Sequence, residues 1–196
     1  MKCLAFDYLI KAENIEQYNA RFSASAQESQ EGMSDPQKEM LGYYQLNWAR
    51  SSRVEKTYQV SAHASEKLDS MTSKQYWFVI TEGWCGDSSQ SLPVIAELAR
   101  ASHGLIDLRI ISRDAYLELL EHYLTNGSMS IPKLIACSEA GEELWIWGPR
   151  PEAGTHLFNE LKSQGMPKEE IYKSLHVWYA KDKGVSIEEE LINHLS

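Results

Sequence analysis

Cysteine is scarce in this chain: Cys3, Cys85 and Cys137 are the only three in 196 residues. An odd set at long spacings argues against a disulfide framework. It also lacks the close Cys or His pairs that a zinc site wants. The six histidines are scattered too, so no bound metal is expected. Such usage fits a reducing compartment, where any special cysteine is special for its reactivity. Cations are outnumbered, 19 Lys and Arg against 28 Asp and Glu, for a net charge of −9. Phosphate backbones and anionic lipid both reward clustered Lys and Arg, so nucleic acid and membrane surfaces are set aside as partners. No segment reaches the roughly eighteen uninterrupted apolar residues of a membrane span. Met1 to Ile10 is too short an apolar stretch for a secretory signal and has neither a strong basic flank nor a small-residue cleavage site. A cytoplasmic location is the resulting expectation.

What remains is ordinary for a soluble globular protein, with 43% hydrophobic and 24% charged residues. The length suits one domain with a substantial core, or one domain plus an extension. Residues 1–73 read as a helical, polar extension. Asp35-Pro36 is a helix start, a carboxylate cap followed by proline at the first helical position, and Leu41, Tyr44 and Trp48 then share one face. A second helix is expected over about Ser61 to Met71, while Val54 to Val60 is undecided between helix and strand. From residue 75 the texture changes. Tyr76 to Ile80 suits a strand buried on both faces, Asp87 to Arg100 a helix, Leu105 to Ile111 a strand and Asp114 to Tyr123 a helix. Pro132 to Cys137 and Glu143 to Trp147 read as a hairpin through Ala140-Gly141. Residues 164–196 are helical again, with Pro167 starting one helix, Gly184 ending it, and Ser186 with Glu189 boxing the last. Strands that alternate with helices imply parallel pairing, and the hairpin adds an antiparallel end.

Chemistry concentrates at Trp84-Cys85-Gly86-Asp87-Ser88. Cys85 stands where a buried strand ends and a helix begins, and the free N–H groups and dipole of a helix start favour a thiolate. Gly86 admits close backbone approach, Ser88 lies on the same helical face as a hydrogen-bond donor, and Trp84 offers a flat surface beside the sulfur. Glu82-Gly83 before it reads as exposed. Asp87 suits a helix start yet raises a nearby thiol's pKa, unless Lys133 or Arg150 points inward to offset it. The bland readings stand beside these: Ser88 as a simple helix-start residue, Pro132 as a strand-opening proline, and Trp147-Gly148-Pro149-Arg150-Pro151 as a rigid hairpin exit. In the functional reading Arg150 grips a ligand carboxylate at the rim of the thiol site. Cys137 reads as a small buried apolar residue and Cys3 as incidental near a terminus, though open to an intermolecular disulfide.

Over about residues 74–163 the sequence resembles the thioredoxin family. Trp84-Cys85-Gly86 is followed by Pro93 eight residues after the cysteine, by Ile131-Pro132 where the family has a cis-proline, and by Gly148 sixteen residues further. It looks closest to a bacterial branch with a Trp-Cys-Gly-Asp site and a helical N-terminal extension. The resemblance implies a three-layer α/β/α sandwich with a mixed sheet. Residues 1–73 would be an N-terminal helical extension, 74–163 the thioredoxin-like domain, and 164–196 C-terminal helices packed on it. It implies that Cys85 and Ser88 carry the chemistry, while Trp84, Gly86, Asp87, Ile131, Pro132, Gly148 and Arg150 receive the partner, Ile131 through its backbone. Three departures matter. Ser88 replaces the resolving cysteine, Val79 the family's buried carboxylate and Asp87 its usual proline.

Two functions follow. The first is a cytoplasmic thiol-disulfide oxidoreductase of single-cysteine (CxxS) type, needing no cofactor beyond a small thiol such as glutathione as co-substrate, with protein or small-molecule thiols and disulfides as partners. The second is a redox-inactive module that binds a protein or peptide in the groove near Pro132, with the helical ends as docking surface or homodimer contact. A weaker third is a peroxide sensor through a Cys85 sulfenic acid.

Overall fold

The apolar run at the centre of the chain forms β1 (Gln75–Thr81), the strand around which the protein is built. In the computed structural model, which describes residues 1–195, β1 has a neighbour on each edge and cover on each face. The sheet order is β2-β1-β3-β4, with β2 (Ile106–Ser112) parallel to β1. β3 (Lys133–Ser138) runs antiparallel to β1, and β4 (Glu143–Trp147) antiparallel to β3. Parallel pairing of β1 and β2 requires a crossover, and α4 (Ser88–Ala101) supplies it.

Alternate residues of β1 point to opposite sides. Trp77 and Val79 enter a core shared with Phe22, Leu92, Ile95 and Ile187. Phe78 and Ile80 enter a second core with Cys3, Leu119, Ile135 and Cys137. The fold is therefore a mixed four-stranded sheet with helical cover on both faces, as the thioredoxin resemblance implies. The first face is the thicker. On it lie α1 (Ile15–Ala26), α2 (Asp35–Thr57), α3 (Ala62–Asp69), α4 and α8 (Val185–Ile192). The second face is covered by a 3-10 turn at Leu4–Tyr8 and by the short α5 (Leu117–Leu120). After β4 come α6 (Glu152–Ser163) and α7 (Lys168–Asp182), packed on each other.

The N-terminal segment is more than a helical extension. Glu13 exchanges two backbone hydrogen bonds of 2.8 Å with Ile110 on the free edge of β2, and Lys2 bridges Glu142 beside β4. Both edges of the sheet are thus partly closed, which limits strand addition by other chains. The undecided segment is settled at Thr57, where α2 ends and Tyr58 turns extended.

Four local expectations are corrected. Ser34, rather than Asp35, caps α2, in a reciprocal pairing with Gln37. The helix expected over Asp114 to Tyr123 shrinks to one turn plus a 3-10 turn at Glu121–Tyr123. Ser186 and Glu189 form no capping box, because α8 starts directly from Gly184 (φ +89°) and Ser186 instead bonds Asp182. Cys3 and Cys137 are joined by a disulfide with Cα atoms 6.1 Å apart. Their 134-residue separation hid the pairing, which removes the argument from cysteine usage for a reducing compartment.

Trp77 is wholly buried in the central strand, its indole N–H donated to Gln75 at 3.0 Å. Trp77→Ala is expected to cost about 3–5 kcal/mol of unfolding free energy. Equilibrium denaturation checks this, and a loss under about 1 kcal/mol would contradict the placement of Trp77 in the main core.

Candidate active site

Cys85 belongs to the turn between β1 and α4. Its N–H donates to the Glu82 carbonyl at 3.1 Å, and its own carbonyl accepts the Ser89 N–H at 3.1 Å, already part of the helical pattern. The sulfur lies under cover, with the residue 8% exposed. Its thiol faces the Ile131 carbonyl oxygen at 3.3 Å. The Ile131–Pro132 bond is cis. The structure therefore places residues 85, 88, 131 and 132 together, although 46 residues separate Cys85 from Ile131.

Two influences compete at the sulfur. Burial pushes the Cys85 pKa up to about 11, and the nearby charge of Asp87 pushes in the same direction. The Ser88 hydroxyl and the N–H groups of Asp87 and Ser88 favour the thiolate but are outweighed. Thr81 donates its hydroxyl to Ser88 at 2.6 Å, which leaves the Ser88 proton free for the sulfur. The expectation of a thiol acidified by the helix start is therefore reversed. Desolvation of the charged form exceeds what the few amide donors return.

Asp87 is buried at the start of α4, yet its carboxylate does not cap the helix. It turns to Arg150 instead, whose Nε donates to Oδ1 at 2.9 Å while Nη2 lies 2.8 Å from Oδ2 as an ion pair. The Tyr179 hydroxyl donates to Oδ1 at 3.0 Å. Burial raises the Asp87 pKa, while the charge and hydrogen bond of Arg150 and the hydroxyl of Tyr179 oppose that rise. Arg150 is thereby spent within the molecule, with its planar group 4.4 Å over the Phe158 ring. It does not wait at the rim for a ligand carboxylate, which corrects that reading. Lys133 is likewise occupied. Its Nζ donates to Thr125 at 2.5 Å and to the Gly148 carbonyl at 3.1 Å, and burial lowers its pKa to about 8.

The other site residues fall around this centre. Gly148 has φ +102°, and a Cβ there would collide with the Pro132 carbonyl. Trp84 is half-buried, its indole N–H on Asp114 at 3.0 Å and Arg113 over its ring. Glu82 is buried, not exposed: Ser112 and the Asp114 N–H donate to it, and Arg21 lies 3.8 Å away. Gly86 sits beneath α7, where a Cβ would come within 2.9 Å of His176 Nε2.

His176 shows what the sequence reading missed. Its pKa falls to about 4, through burial first and then the charges of Arg50, Arg53 and Arg150. Arg50 and Arg53 reach the site from α2, a segment read only as an extension. Tyr172, His176 and Tyr179 recur at helical spacing on α7, a signal present in the sequence, although what that face covers was not.

A mixed sheet with a cysteine at the β1–α4 junction, opposite a cis X–Pro bond, defines a thioredoxin-fold thiol protein. The Thioredoxin_9 family model, described as Thioredoxin, matches residues 33–162, about two thirds of the chain. The chain belongs to this thioredoxin family. Among solved structures, a protein of unknown function from Pseudomonas aeruginosa is similar over 99% of this chain and 97% of its own, at 17% identity and a TM-score of 0.67. An HIV epitope-scaffold is similar over 93% and 97%, at 16% identity and 0.58. Both likenesses concern the fold alone. A search of curated proteins finds no match. Among the described residues no group of three or more His, Cys, Asp or Glu side chains is placed to hold a metal ion.

Asp87→Asn removes the like charge beside the sulfur, which favours the thiolate, so the Cys85 pKa is expected to fall by about one unit. Iodoacetamide modification rates measured against pH check this, and an unchanged or higher midpoint would contradict it. In the unaltered protein the same rates at pH 7 are expected to be roughly a hundredfold below those of a free cysteine.

Proposed function

We propose that the protein is a thiol-disulfide oxidoreductase of single-cysteine type, acting through Cys85 with Ser88 in the resolving position. The observation that carries this reading is the joint placement of the Cys85 sulfur, the Ser88 hydroxyl and the Ile131 carbonyl at the mouth of α4. In the reaction the Cys85 sulfur attacks the small-thiol sulfur of a partner's mixed disulfide. A new S–S bond joins Cys85 to that sulfur, and the partner's sulfur leaves as a thiolate, which takes up the proton lost from Cys85. No second cysteine stands at position 88 to close the bond. A small thiol of the glutathione class then attacks the mixed disulfide, leaving as the oxidised small disulfide and returning Cys85 to the thiol.

A pKa near 11 leaves only about one part in ten thousand as thiolate at pH 7. The resting site is therefore closed and protonated. Turnover in this reading needs a partner that displaces the thiol from the Ile131 carbonyl and supplies donors to the thiolate. Ser88 is the first such donor in place.

That same buried, neutral thiol favours a second reading, a redox-inactive module that binds a protein or peptide near Pro132. The two are separated by incubating the protein with a glutathionylated peptide and reduced glutathione. Release of the peptide thiol that Cys85→Ser abolishes supports the oxidoreductase. No release above the buffer rate, with a mixed disulfide never seen by mass spectrometry, would sink it and leave the module. Ser88→Cys is expected to add a resolving thiol, so that an internal disulfide replaces the mixed disulfide as the accumulating species, as read by intact mass.

A further inference from the structure

The helical segments border an open pocket of about 340 Å³ between α2, α4, α7 and α8, with Tyr179 in its lining. Its walls carry two cations, Arg53 and Lys183, beside the amide of Gln90 and the apolar side chains of Val54, Ala180 and Ile187. We propose that this pocket binds a small amphipathic carboxylate, its headgroup held by Arg53 and Lys183 and its apolar body by Val54, Ala180 and Ile187.

Charge makes the first part of the case. The chain has a net charge of −9, yet among the described residues neither Arg50, Arg53 nor Lys183 forms an ion pair with a carboxylate. Arg50 lies one helical turn before Arg53, and its pKa is lowered by burial and by the neighbouring Arg53 charge. His176 stays neutral among these guanidiniums. The buried carboxylates nearby are already claimed, Asp87 by Arg150 and Glu188 by the Tyr58 hydroxyl and the Ser61 N–H. Arg53 and Lys183 thus stand exposed at the pocket without carboxylate partners, in position to attract an anion from outside.

Geometry makes the second. Arg53 donates through Nη2 to the Gln90 Oε1 at 3.1 Å, which anchors the guanidinium and leaves its other donors unassigned. Gln90 in turn meets His176 Nδ1 at 3.3 Å, so the amide is held from both sides. A planar fork so anchored suits a two-oxygen headgroup, and the apolar wall opposite suits a ligand with a hydrocarbon body. The volume falls at the small end of ligand pockets, which fits an aryl or short-chain acid better than a nucleotide or peptide. The assignment does not depend on whether Cys85 is reactive.

Calorimetric titration of the full chain at constant ionic strength tests it, with benzoate, hexanoate, acetate and inorganic phosphate as probes. Benzoate or hexanoate is expected to saturate one site, with acetate at least about tenfold weaker because it has no body to bury. Arg53→Gln is expected to weaken binding at least about tenfold with the melting temperature little changed. Lys183→Asn, which suits the left-handed backbone there (φ 56°), serves as the second variant should Arg53→Gln fail to fold. No saturable binding, acetate binding equal to benzoate, phosphate binding tighter than either larger acid, or binding untouched by the folded variants would each overturn the proposal.

Discussion

A carboxylate has been taken out of water at the start of α4, and much of the surrounding architecture is the means of keeping it there. Asp87 is buried directly after the Cys85-Gly86 turn, where an unpaired charge would be strongly destabilising. Arg150 answers with a hydrogen bond and an ion pair from the exit of β4, and Tyr179 with a second hydrogen bond from α7. The turn at Gly148-Pro149 and the return of α7 over Gly86 bring these groups within reach. Breaking one partner would leave the others as uncompensated buried groups, so the three segments hold together as a unit. The raised pKa of Cys85 follows in part from the same arrangement, since the carboxylate that anchors α4 stands beside the sulfur.

The helical segments flanking the central sheet take part in the site. From α2, Asn47 donates to the Gly83 carbonyl at 3.2 Å, Arg50 donates to Asn47 at 2.9 Å, and Arg53 reaches Gln90. From α7 come His176 and Tyr179. The family match begins at residue 33, close to the start of α2, in keeping with a helix that supports the thiol turn. Here the helices lie over Gly86, and the sulfur rests against Ile131. An arrangement of this kind trades a reactive resting thiol for a protected one, and any chemistry depends on what a partner does to the cover.

Much of the fold was legible in the sequence because it is written in local pattern. The buried run at 76–80, the helix after it and the hairpin through Ala140-Gly141 all follow from periodicity and turn residues within a window of a dozen positions. Cys85, Pro93, Pro132 and Gly148 carry the resemblance to the family within the sequence itself. Errors gathered at element ends, where a single capping residue decides. Ser34 for Asp35 and Gly184 for Ser186 are both shifts of one or two positions.

What the chain by itself determined is the succession of strands and helices and the place of one cysteine at a strand-to-helix junction, since both depend on neighbours in sequence. Only the tertiary structure decided that Arg150 binds Asp87 across 63 residues, that Tyr179 joins them across 92, and that Cys3 and Cys137 pair across 134. It also decided the sign of the shift at Cys85. A thiol's acidity is set by how much water and how many charges surround it, and those are supplied by segments that approach only when the whole chain has packed.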